Sequence, residues 1–191
     1  RSTPQPTAAW STTTARSAVP SIGAAATAIM VYGLTFLYGL YGTLELADIA
    51  RQINAHGAVH PALLTIALFG LIVGIGFKIA AVPFHFWCPD VFEGASIEVT
   101  AFLSVASKGA GLVLLLRVLM TLADAAGYQH AQPLTALAIV IGIIGAITAT
   151  VGNTAAFAQN NIKRLLAYSS IAHAGYMLCV ISLLFNLNGA H

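Results

Sequence analysis

PALLTIALFGLIVGIGFKIAAV, residues 61–82, decides the fold. It runs for 22 residues with a single charge, Lys78. About 20 apolar residues of helix span the hydrocarbon core of a bilayer. Pro61 opens the stretch at the first-turn position that suits proline, and Pro83, which has no N–H to donate, breaks the helix just beyond it. Four similar stretches stand at about 22–43, 99–122, 133–157 and 165–187. Together the five predict an all-α polytopic transmembrane bundle with a discontinuous helix near Pro83. Barrel strands are excluded because they run ~10 residues with strict alternation.

Composition points the same way. Of 191 residues 58% are hydrophobic and 7% are charged, against roughly 25% charged in a soluble domain. So few charges exclude an ordinary soluble protein, and so much apolar surface excludes a disordered one. The net charge of +2 is too weak for a nucleic-acid partner; the expected surroundings are the lipid bilayer and other membrane subunits. Cys88 and Cys179 make neither a disulfide framework nor a zinc site. GxGxxG, P-loop, HExxH and CxxC patterns are all absent, so the chain is expected to hold no cofactor and no metal of its own.

Between the spans the connectors are polar. Residues 1–20, rich in Ser, Thr, Pro and Ala, read as a polar tail without the apolar core of a secretory signal. Residues 44–60 read as a loop. PFHFWCPDVFEGASIE (83–98) reads as a short interfacial or re-entrant piece, with Phe84, Phe86, Trp87 and Phe92 at headgroup level. Lys163 and Arg164 read as an interfacial anchor. With Arg1 and Arg16 they outnumber Arg51 and Arg117 on the other side, which places the tail side in the cytoplasm.

Three residues stand where apolar stretches should have none. A charge inside a span is costly and marks a functional candidate. Lys78, five residues before Pro83, reads as a snorkelling anchor or as a buried carrier. Lys108, ten residues into its stretch, is too deep to snorkel easily. A lysine in a low-dielectric site changes its proton affinity when a carboxylate approaches or leaves, which is what a proton carrier needs. No acidic residue sits inside a stretch here, so such a partner must come from elsewhere. His173, within YSSIAHAGY, suits a proton relay or a hydrogen bond between helices. Ser104, Ser107, Thr148, Thr150, Asn153, Ser169 and Ser170 support a water chain or join helices.

GFKIAAVPFHFWCPDVFEGASIEVTAFLSVASKGAGLVLLLRV (76–118) and GNTAAFAQNNIKRLLAYSSIAHAGYML (152–178) resemble the antiporter-like proton-translocating subunits of respiratory NADH–quinone oxidoreductase. Within that family they are most similar to subunit N, the counterpart of mitochondrial subunit 2. The resemblance covers about 22–187 and implies an inverted-repeat fold of about fourteen helices, of which this chain is the middle portion. It implies that Lys78 is the lysine of the broken helix, Lys108 that of the next helix and His173 the histidine after AYSS, all on a membrane-central proton path. The glutamate that partners the first lysine would precede this chain, and the lysine of the second broken helix would follow it. Residues 1–20 do not resemble the family and read as non-native sequence ahead of a transmembrane unit over 21–191.

The resemblance implies a multi-pass subunit in the bacterial inner membrane that moves protons and performs no redox chemistry. NADH, FMN, iron–sulfur clusters and quinone would belong to partner subunits of the translocase. The rivals are an Mrp-type or stand-alone cation/proton antiporter, and a truncated structural fragment that moves nothing. Gene neighbours separate the first rival, and proton uptake by reconstituted protein separates the second.

Overall fold

The computed structural model describes residues 7–57, 59–130 and 132–188, with the backbone alone for 7–21, 54, 122–130, 132–136 and 185–188. In chain order the elements are α1 (Thr7–Tyr41), α2 (Leu46–His56), α3 (Pro61–Ile79), α4 (Trp87–Gly94), α5 (Ile97–Phe102), a π-helical turn (Leu103–Ser107), α6 (Lys108–His130), α7 (Gln132–Phe157) and α8 (Ile162–Asn188). No strand occurs among the described residues. Five helical runs are long and apolar enough to cross a membrane: 22–41, 61–79, 97–121, 137–157 and 162–184. The all-α bundle expected from the sequence is the one observed.

Two connectors differ from expectation. Helix α1 begins at Thr7 and runs unbroken into the first span, so the polar segment 7–20 is helical. That segment has Ala8, Ala9, Ala15 and Ala18 and no glycine, and alanine is the strongest helix former. Residues 1–6 lie outside the described residues. The segment 44–60, expected as a loop, contains the amphipathic helix α2. Ile49, Ala50 and Ile53 form its buried face, which packs on α6; Asp48 and Arg51 pair on the exposed face.

Small residues set the helix pairs. On α3, a Cβ at Gly70 would lie 2.9 Å from the Ile29 carbonyl oxygen on α1. On α1, a Cβ at Gly33 would lie 2.6 Å from the Ala67 carbonyl oxygen. Helices α7 and α8 meet along a longer seam: a Cβ at Gly145 would come within 2.9 Å of the Gly175 carbonyl oxygen, and one at Gly152 within 2.7 Å of Ala172 N. Lipid offers no hydrophobic drive between helices, so backbone approach and van der Waals contact supply the association.

The discontinuity lies between α3 and α4, centred on residues 80–86. It starts three residues before Pro83, at Ala80, whose φ of 58° places it in the left-handed region. There the helix closes on itself, Ala80 N–H donating to Phe77 O at 3.1 Å and Ala81 N–H to Gly76 O at 2.9 Å. Val82 N–H donates to Thr148 Oγ1 on α7 at 3.0 Å, and Trp87 Nε1–H donates to Phe77 O at 3.1 Å. Irregular backbone at membrane depth needs such partners from protein.

Candidate functional site

The π turn is the local feature that builds the site. The stretch at about 99–122 reads as one apolar helix, but its path widens at Leu103–Ser107, immediately before Lys108. Single π turns inside α-helices recur at functional positions. Ser104 turns its hydroxyl back onto the Ala101 carbonyl at 2.9 Å, one of the local bonds that bend helices.

Lys108 then points into protein and is 3% exposed. Its Nζ donates to Ser170 Oγ on α8 at 2.6 Å and to Cys88 Sγ on α4 at 3.4 Å. It also stands 5.5 Å from the centroid of the Phe92 ring on α4, within range of a cation–π attraction. Ser170 Oγ–H donates to the Ala167 carbonyl oxygen at 2.8 Å. Burial pushes the Cys88 thiol up, against the pull of Lys108 beside it. The ammonium is thus held by a hydroxyl, a thiol and an aromatic face, and no carboxylate pairs with it among the described residues.

On one side of Lys108 lies a cleft of about 590 Å³ between the α5–α6 run and α8. Its polar lining residues are Thr100, Ser104, Lys108, Lys163, Ser169, Ser170 and His173, and the rest of the wall is mostly apolar. Among the described residues no Asp or Glu lines it. His173 Nδ1 lies 2.8 Å from the Ser169 carbonyl oxygen. A carbonyl only accepts, so Nδ1 carries a hydrogen and Nε2 is the nitrogen left to take a proton. Tyr176 packs edge-on to the His173 ring at 5.9 Å.

The structure therefore brings two of the three predicted residues, Lys108 and His173, to one cleft. Lys78 stands apart. It is exposed at the end of α3 and does not line the cleft. Its Cγ lies 3.9 Å from where a Cβ at Gly111 would be, so its stem runs along α6 about one turn beyond Lys108.

Several residues carry more than the sequence suggested. Phe92, expected at headgroup level, is buried beneath Lys108, and Trp87 stacks on Phe77 with ring centroids 5.4 Å apart. Lys163 and Arg164, expected to anchor in headgroups, bind α4 instead. Lys163 Nζ donates to Ala95 O at 3.1 Å and Glu93 O at 3.4 Å. Arg164 Nη1 bridges Asp90 at 3.0 Å and Glu93 at 2.9 Å. His85, in the break, is buried with no partner for Nδ1 among the described residues, and burial pushes its imidazole down toward the neutral form. Cys88 could not have been picked out, because a lone cysteine in a connector gives no sequence signal.

The family described as NADH:quinone oxidoreductase/Mrp antiporter, TM, matches residues 10–190. The match begins inside the segment 1–20. NADH-quinone oxidoreductase subunit N of Geobacillus kaustophilus is 45% identical over 159 residues, covering 82% of this chain and 32% of that protein. Among solved structures, a chain of respiratory complex I from Thermus thermophilus is 38% identical, with a TM-score of 0.66 over 87% of this chain and 33% of that one. A chain of the archaeal membrane-bound sulfane sulfur reductase is 25% identical, with a TM-score of 0.78 over 89% of this chain and 33% of that one. The chain spans about a third of the length of the curated relatives it matches.

Proposed function

The chain belongs to the NADH:quinone oxidoreductase/Mrp antiporter transmembrane family, and on that premise we propose that it serves in the membrane arm of a proton-pumping NADH–quinone oxidoreductase. The observation that carries the reading is Lys108: a buried ammonium in an apolar span, held by neutral groups and facing a cleft shared with His173. A lysine held by neutral groups releases its proton more readily than one paired with a carboxylate. A carboxylate approaching from outside the described residues would favour the charged form, and its withdrawal would discharge the proton toward His173. Lys78, along α6, would be the preceding station, and repulsion between the two ammonium groups would favour stepwise transfer. Its present exposure leaves its side of α3 open to a further helix.

In this reading the chain binds no cofactor. NADH, FMN, iron–sulfur clusters and quinone reside in partner subunits, whose movement changes the charge near Lys78. The site of action is the bacterial inner membrane. Support for subunit N over an Mrp antiporter comes from relatives named subunit N in several bacteria, at 42–48% identity.

Disruption of the gene, followed by assays on inverted membrane vesicles, tests the reading. NADH-driven acidification of the vesicle interior should fall and return on complementation. Unchanged NADH-driven acidification with loss of sodium/proton exchange would transfer the chain to the antiporters. No change in either would make it a structural segment.

A further inference from the structure

Lys108 receives its partners from two elements, and both are tied together at one end. Cys88 and Phe92 come from α4 and Ser170 from α8. Helix α4 is eight residues long and follows the helix break at 80–86; its Cys88 and Phe92 pack in one apolar cluster with Ala167 and Ile171 of α8. The start of α8 adds polar ties to that packing. Arg164 Nη1 reaches both Asp90 and Glu93, Asn161 Nδ2 donates to Glu93 Oε1 at 3.1 Å, and Lys163 takes the carbonyls at the end of α4. Arg164 is kept in place from behind by Gln159, whose Oε1 accepts from Nε at 3.3 Å.

We propose that the Arg164 clamp is a positioning device for Lys108: by tying Asp90 and Glu93 to the start of α8, it keeps Cys88, Phe92 and Ser170 closed around the Lys108 ammonium. The proposal rests on the proton-carrying role of Lys108 for its functional meaning, but the positioning can be read by itself. Arg164 is less than two turns before Ser170 on α8, so one helix carries both the clamp and a ligand of the ammonium. Asp90 and Glu93 flank Phe92 on α4, so release of the carboxylates frees the element that shields the thiol.

The test is N-ethylmaleimide labelling of Cys88 in native membranes, quantified on the Cys88 peptide by mass spectrometry. Arg164→Gln should speed labelling roughly fivefold, the factor set by losing about 1 kcal/mol of exposed ion pairing that resists local opening. Arg164→Lys should restore part of the protection, because a single nitrogen, Nη1, serves both carboxylates while the Nε contact to Gln159 is lost. If Arg164→Gln does not accumulate, Glu93→Gln makes the same comparison. In NADH-driven pumping, Arg164→Gln should be impaired alone and cause no further loss on top of Lys108→Ala. Labelling rates equal to wild type, or Arg164→Lys as fast as Arg164→Gln, would overturn the clamp. If labelling responds while Lys108→Ala pumps normally, the clamp stands and the carrier role falls. If labelling does not respond while Lys108→Ala abolishes pumping, the carrier role stands and the clamp falls.

Discussion

Lys108 concentrates the account at the residue scale. A charged lysine inside a bilayer costs about 3 kcal/mol even on lenient scales, and here a hydroxyl at 2.6 Å, a thiol and an aromatic face reduce that cost without a carboxylate. Removing the hydroxyl should be felt. Ser170→Ala loses a charge-assisted hydrogen bond worth about 1.5–3 kcal/mol, and proton pumping should fall well below that of Ser169→Ala. Equal pumping by the two variants would show that the Ser170 contact is incidental. A second residue serves the backbone. Thr148 is fully buried and accepts the Val82 N–H at 3.0 Å. Thr148→Val keeps shape but strands that donor, at a cost of about 1–3 kcal/mol, so thermal unfolding in detergent should shift downward while Thr150→Val changes little. Lys108 was legible in the sequence because a charge interrupts an apolar run. Its partners were not, since Cys88 and Ser170 stand 20 and 62 residues away and only folding brings them together.

Among elements, apolar length made the spans readable and tertiary contact hid the rest. The five runs 22–41, 61–79, 97–121, 137–157 and 162–184 follow from hydropathy alone. The break was legible through Pro83, although the helix closes earlier, at Ala80, where the backbone turns left-handed. Helix α2 was missed because its polar residues masked a three-residue apolar face that only α6 reveals. The π turn was missed because no residue pattern marks it; it lies immediately before Lys108. A π turn is one residue more than an α-helix needs. Deleting Val105, which is 74% exposed, should let an unbroken α-helix form and turn α5 relative to Lys108. Pumping should then fall although the protein still reaches the membrane in normal amount. The α7–α8 seam makes a stability prediction: Gly145→Leu drives a side chain into the Gly175 carbonyl, already 2.9 Å from a bare Cβ. Overpacking of that kind costs about 1–3 kcal/mol or more, so the folded yield in detergent should drop, whereas Gly109→Leu, where nothing lies within 4 Å, should be tolerated.

For the whole molecule, the clamp between α4 and α8 supports the expected topology. Asp90 and Arg164 are in contact, so the connector after α3 and the start of α8 share one side of the bundle. Asp90→Cys and Lys163→Cys should react with a membrane-impermeant maleimide from the same face of oriented vesicles; reaction from opposite faces would refute the five-span path. The layout also separates the residues in space. Lys108 and His173 share a cleft, while Lys78 lies outside it along α6. The central claim is that these lysines carry the protons. The measurement that reaches it most directly is the number of protons moved per NADH oxidised, read with a pH-sensitive dye in vesicles containing the assembled complex, for wild type and for Lys78→Ala/Lys108→Ala. The account predicts that the double variant assembles and moves markedly fewer protons per NADH, because alanine keeps the helices but removes the groups that take up charge. A wild-type ratio of protons to NADH in that variant would contradict it.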